Sequence, residues 1–282
     1  TYIITENGEH WLIYGSWHSG IAALQVNPED GKPLNALGNP WDITGEDNSG
    51  YGKIIATRGS SRWQASEGPE VIYRDGYYYL FLAYGSLSVE YNTRVCRSRN
   101  IDGPYVDIHG NSAMGSAQLY PILTAPYRFD NSYGWGGISH CGIFDDGAGN
   151  WFYTSQGRFP VNVGGNEYSN AIMMGHVRSI RWDANGWPLV MPERYGAVPQ
   201  APITENEIAG DWEHLALTNS TGTQRTSETM TYDLDTHKIT SGSWKNATWT
   251  FDAATQTITT SAGVVLYLQR EVDWEASPRT HT

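Results

Sequence analysis

Residues 67–86 read EGPEVIYRDGYYYLFLAYGS. An ionisable residue and Gly68-Pro69 lead into an apolar stretch, Asp75-Gly76 reverses it, and an aromatic stretch follows. Asp-Gly between two such runs predicts a β-hairpin, because both turn positions require a positive φ. The layout recurs on either side. Thr1–Ser16 is TYIITENGEHWLIYGS and His140–Ser155 is HCGIFDDGAGNWFYTS, each an apolar strand, a glycine turn and an aromatic strand ending near a serine. The turn glycines Gly8, Gly76 and Gly149 lie 68 and 73 residues apart. That period accommodates a four-stranded propeller blade with long loops.

Further strands follow each copy. GIAALQVNPEDGKPL (20–34), RVCRSRNIDGPYVD (94–107) and GHVRSIRWDANGWPLV (175–190) each pair a strand with a turn rich in Asp, Asn, Gly or Pro. The sequence therefore predicts an all-β protein: a β-propeller over residues 1–200. From Ala201 the chain turns rich in Thr and Ser with short alternating strands, which predicts a small antiparallel β-barrel over residues 201–282. Three copies are fewer than the four blades a closed ring needs, so the propeller is expected to be incomplete in this chain.

Nine positions before each turn glycine the repeat carries a functional signal. That position holds Glu67 in the second copy and His140 in the third, both ionisable at the head of an apolar strand. Inner strands of a propeller begin around its axis, so these two are expected to converge. In the first copy the same position falls just before Thr1. Pro69 is expected to hold Gly68 extended. Trp63 and neighbouring aromatics would then desolvate Glu67 and favour the neutral carboxyl of a general acid. His140 could bind a metal or its water. Loops after the inner strands offer Trp17 for stacking on a sugar, Arg158 for donating to hydroxyls, and Tyr91 with Asn92 as further substrate contacts.

Composition narrows the partners. Of 282 residues 18 are Lys or Arg and 30 Asp or Glu, a formal charge of −12, which gives nucleic acid no basic footprint. No apolar stretch is long enough to span a membrane. Twelve Trp and eighteen Tyr suit a neutral polar ligand such as a sugar, although most of these rings belong to strands and core. Cys96 and Cys141 have no metal-type spacing, do not form a disulfide framework and leave the redox compartment open.

Taken together, SEGPEVIYRDGYYYLFLAYG, NTRVCRSRNIDGPY, GGISHCGIF and RWDANGWPLVMPERYG, with YGSWHSGI, resemble glycoside hydrolase family 43 and specifically its arabinanases. The likeness runs from about Thr1 to Gly196. The tail resembles the lipocalin-like barrel of the longer members. The resemblance implies a five-bladed propeller that hydrolyses α-1,5-linked L-arabinan with inversion, and a polysaccharide substrate favours export, so a secreted or periplasmic location is expected. It makes Glu67 the general acid and puts His140 on a calcium ion or its water shell. It also requires two aspartates without counterparts here: a general base in the first blade, and a residue tuning the acid at the position just before Thr1. A preceding segment that supplies the first blade is the expected source of both. Another furanosidase or β-xylosidase of the family, or a non-catalytic glycan-binding propeller, remains open at this point.

Overall fold

A computed structural model describes residues 1–16, 20–34, 51–58, 66–88, 90–115, 118–130, 132–218, 224–274 and 280–281. Strands β1 (Tyr2–Ile4), β2 (His10–Ser16), β3 (Gly20–Val26) and β4 (Lys53–Ala56) form an antiparallel sheet in chain order. β5 (Ser66–Arg74), β6 (Tyr77–Tyr84), β7 (Asn92–Ser98) and β8 (Ile122–Thr124) form a second. After a short β9 (Tyr127–Arg128), β10 (Gly142–Asp145), β11 (Trp151–Arg158), β12 (Met173–Trp182) and β13 (Pro188–Val190) form a third. Four-stranded meanders stacked face to face are propeller blades. Each of the three sequence repeats supplies the inner hairpin of one.

Packing explains the aromatic run. In β6, Tyr78, Leu80, Leu82 and Tyr84 enter one core with Ile13, Ile21, Ala23 and Ile55 of the first blade. Tyr79 and Phe81, on the opposite face, enter another with Ile143, Tyr153 and Ile180 of the third. Successive strand residues point to opposite faces, and here both faces are covered, so apolar and aromatic side chains are continuous rather than alternating. Each such side chain contributes about 1.5–3 kcal/mol by burial. Asp75 and Gly76 turn β5 into β6 with φ of 51° and 80°, as the hairpin reading requires.

The C-terminal part contains β14 (Gly210–His214), β15 (Arg225–Thr226), β16 (Glu228–Asp233), β17 (Lys238–Ile239), β18 (Trp249–Asp252), β19 (Thr257–Thr260), β20 (Val265–Tyr267), β21 (Val272–Asp273) and β22 (Thr280–His281). Two three-stranded antiparallel sheets, β14-β16-β17 and β18-β19-β20, share a core of Met230, Tyr232, Ile239, Trp249 and Ile258. This part is stitched to the propeller through backbone. β15 pairs in parallel with β9, and the Arg181 guanidinium donates to the carbonyls of Thr255, Gln256 and Leu268.

Candidate active site

Glu67 lies at the head of β5 on a β-bulge. It pairs with Ala83, Glu70 pairs with Phe81, and the register shifts between them at Gly68-Pro69. Bulges re-aim side chains beside functional sites. Gly68 adopts φ 57°, in the left-handed region, rather than the extended conformation expected before proline. Part of proline's restriction on its predecessor acts through that residue's Cβ, and glycine, which has none, reaches positive φ without that penalty. The missing Cβ has a second consequence. Built onto Gly68, it would lie 2.9 Å from Cδ2, 3.0 Å from Cγ and 3.1 Å from Nδ1 of His140. The imidazole therefore rests directly against the bulge, and the two residues singled out by the repeat come together.

Tyr91 joins them. It is 2% exposed, on the loop entering β7. Its hydroxyl donates to Glu67 Oε1 at 2.5 Å and lies 3.0 Å from His140 Nδ1. A phenol carries one hydrogen, and it is used on Glu67. Tyr91 must then accept from Nδ1–H of His140, which in a neutral imidazole leaves the lone pair on Nε2. Burial first, then the hydrogen bond to Glu67 and its charge, raises the Tyr91 hydroxyl far above the ordinary tyrosine range, so it stays a donor.

Behind this trio, hydroxyls pin the His140 loop to the second blade. Ser139 Oγ donates to the Asn92 carbonyl at 3.0 Å and lies 2.8 Å from Thr93 Oγ1, which is itself 2.7 Å from the Tyr153 hydroxyl. His140 takes φ 59°, a strained conformation outside glycine that this anchoring sustains.

The remaining predicted contacts separate. Asn92 is 9% exposed; its amide donates to the Tyr84 and Glu90 carbonyls at 3.0 and 2.9 Å and its oxygen accepts from Arg94 Nε at 2.9 Å. It closes the loop that carries Tyr91, with its groups spent inside the protein. Arg158 packs under Gly137 of the His140 loop and donates to the Asn170 carbonyl at 3.1 Å. Tyr91, expected on the pocket rim, is buried and bridges Glu67 and His140. Trp17 and Trp63 lie outside the described residues. Sequence reasoning missed the hydroxyl anchors Thr93 and Ser139, which no spacing marks, and the reason for Gly68, for which the Glu-Gly-Pro triplet was the signal.

As to metal, the described residues contain no group of three or more His, Cys, Asp or Glu able to hold an ion. Calcium takes six to eight oxygen ligands. The donor present is one imidazole nitrogen, Nε2 of His140, oriented through Nδ1 by Tyr91. That fits one ligand of a cation that keeps most of its water and does not fit a protein-built cage.

Stacked blades with a carboxyl held at one strand head by a phenol, which an imidazole contacts in turn, define a propeller with a carboxyl-centred site. The model of glycosyl hydrolases family 43 matches residues 1–188, and that of a C-terminal lipocalin-like domain matches residues 192–282. The chain belongs to glycosyl hydrolases family 43. It is 30% identical over 230 residues to an extracellular endo-α-(1→5)-L-arabinanase 2 of Bacillus subtilis, covering 74% of this chain and 44% of that protein. It is also 30% identical over 229 residues to an extracellular endo-α-(1→5)-L-arabinanase of Thermotoga petrophila, with the same coverage of 74% and 44%. The crystal structure of an endo-1,5-α-L-arabinanase from Thermotoga petrophila superposes with a TM-score of 0.79 at 25% identity, covering 99% of this chain and 62% of that one. The chain thus spans less than half the length of these curated relatives.

Proposed function

We propose that this chain forms part of an exported enzyme that hydrolyses α-1,5-linked L-arabinan with inversion, with Glu67 as the general acid. The observation that carries the reading is the convergence of Glu67, Tyr91 and His140 at the strand heads of two blades, in a family whose matched relatives are named extracellular endo-arabinanases. Glu67 protonates the leaving glycosidic oxygen. A water activated by a second carboxylate attacks the anomeric carbon from the opposite face, the two carboxyls standing roughly 6.5–9.5 Å apart. The relatives' names favour endo-action.

The base and the tuning aspartate come, in this reading, from a segment preceding residue 1. Two features support it. Thr1 Oγ1 donates to the Pro69 carbonyl at 2.8 Å and lies 2.5 Å from Glu70 Oε2, so chain entering at Thr1 arrives beside the Glu67 bulge. Tyr2 and Ile4, each 54% exposed, and Leu12 form an open apolar face on the first blade, opposite the buried Ile13. A preceding blade would cover that face. His140 Nε2 would hold a hydrated calcium ion, which would supply positive charge to order nearby water and favour the ionised form of the general-base carboxylate.

The test is Glu67→Gln in the intact natural protein, with product sizes followed on linear arabinan. Loss of about 10²–10⁴-fold in kcat is expected from removing a general acid. Turnover that stays unchanged rejects the assignment. A wild-type protein that binds arabinan without cleaving it would instead make the propeller a glycan-binding module.

A further inference from the structure

We propose that Tyr91 is a positioning residue that holds the Glu67 carboxyl in its proton-donating orientation and ties that orientation to the imidazole of His140. This rests on the reading of Glu67 as the acid. The phenol is buried against the second blade, so its ring cannot reorient with solvent. Its one hydrogen goes to Oε1 of Glu67, and its oxygen takes the hydrogen of Nδ1. Three side chains from two blades thereby form one directed chain, His140 Nδ1–H to Tyr91 to Glu67. The loop carrying Tyr91 is closed by Asn92, and the loop carrying His140 is closed by Ser139 and Thr93, so neither end of the chain is loose. Gly68 completes the arrangement by admitting the imidazole where a Cβ would exclude it.

A carboxyl of two equivalent oxygens can rotate about its last bond, and a bond to one oxygen selects which of them faces the substrate. The Tyr91 hydroxyl on Oε1 fixes the rotation of the carboxyl and with it the place of the transferred proton. Rotating the carboxyl away from the leaving oxygen would slow the steps that need protonation and spare those that do not. Holding a reacting group in register is worth this much because misplacement of about 1 Å can lower a rate by 10²-fold.

Leaving-group dependence separates this role from a structural one. Tyr91→Phe keeps the ring and removes only the hydroxyl. In the intact natural protein it is expected to lower kcat on linear arabinan about 10- to 100-fold. On an aryl α-L-arabinofuranoside with a 4-nitrophenolate leaving group, which departs without a proton, the expected loss is within about threefold. Adding Tyr91→Phe to Glu67→Gln should give no further loss on arabinan, since both act through one group. Equal losses on both substrates, or a further loss in the double variant, would overturn the positioning role. If Glu67→Gln alone leaves arabinan turnover intact, the acid reading has failed instead, and the two failures are distinct. A thermal melt of Tyr91→Phe identifies simple unfolding, and Tyr91→His, which restores a ring donor, is then expected to recover part of the arabinan rate; no recovery in a folded variant counts against the proposal.

Discussion

Replacing Gly68 by Ala tests whether the imidazole seat on the bulge matters, and Gly8→Ala is its control. Both glycines have positive φ, 57° and 78°. An alanine in that region is destabilised by about 1–2 kcal/mol at either site. The surroundings differ. Nothing lies within 4 Å of a Cβ on Gly8, whereas at Gly68 it would meet the His140 ring at 2.9 Å, and ordinary contact begins at 3.4 Å. The ring must retreat by about 0.5 Å, which overpacking places at about 1–3 kcal/mol. Gly68→Ala is therefore expected to lose about 2–5 kcal/mol and Gly8→Ala about 1–2 kcal/mol in chemical denaturation. The retreat also stretches the 3.0 Å hydrogen bond from His140 to Tyr91 toward the limit of hydrogen bonding. Arabinan turnover should fall about 10-fold or more in Gly68→Ala and stay near wild type in Gly8→Ala. Matching stability and turnover in the two variants would refute the argument.

Two further outcomes can be checked independently. His176 is 1% exposed, with Nε2 unpartnered among the described residues; burial, then Arg178 and Arg194, lower its pKa to about 3. The unfolded state takes a proton near pH 6.5 and the folded state does not, so stability is unaffected above that value and falls as pH drops from about 6.5 toward 3, by about 2 kcal/mol at pH 5. Urea unfolding at pH 7.5 and 5 should show that loss shrinking in His176→Gln, and an unchanged pH difference would refute it. Calcium is expected to raise the melting temperature of the intact protein and to do so less in His140→Ala; equal shifts in both would remove His140 from the metal.

Sequence and tertiary structure contributed different parts of this site. The blades were legible because a sheet stacked between two others needs apolar side chains on both faces, and Tyr77–Tyr84 shows that demand in one line of sequence. Asp75-Gly76 marked its turn because a positive φ at both residues restricts the choice. Glu67 and His140 stood out because the repeat registers strand heads, which the fold then gathers near one axis. The direction of the hydrogen bonds was not legible. Tyr91 looks like any loop aromatic until a sequence separation of 49 residues is folded away and its hydroxyl is found between the other two. Gly68 looked extended beside its proline, because the imidazole that takes the space of its Cβ comes from the next blade. Asn92 and Arg158 carry groups suited to sugars, yet local backbone carbonyls engage them first. Covalent order determines which side chains can face one pocket, through the period of the strands. Which of them touch is decided by packing between blades, where tenths of an ångström separate a seat for an imidazole from a clash.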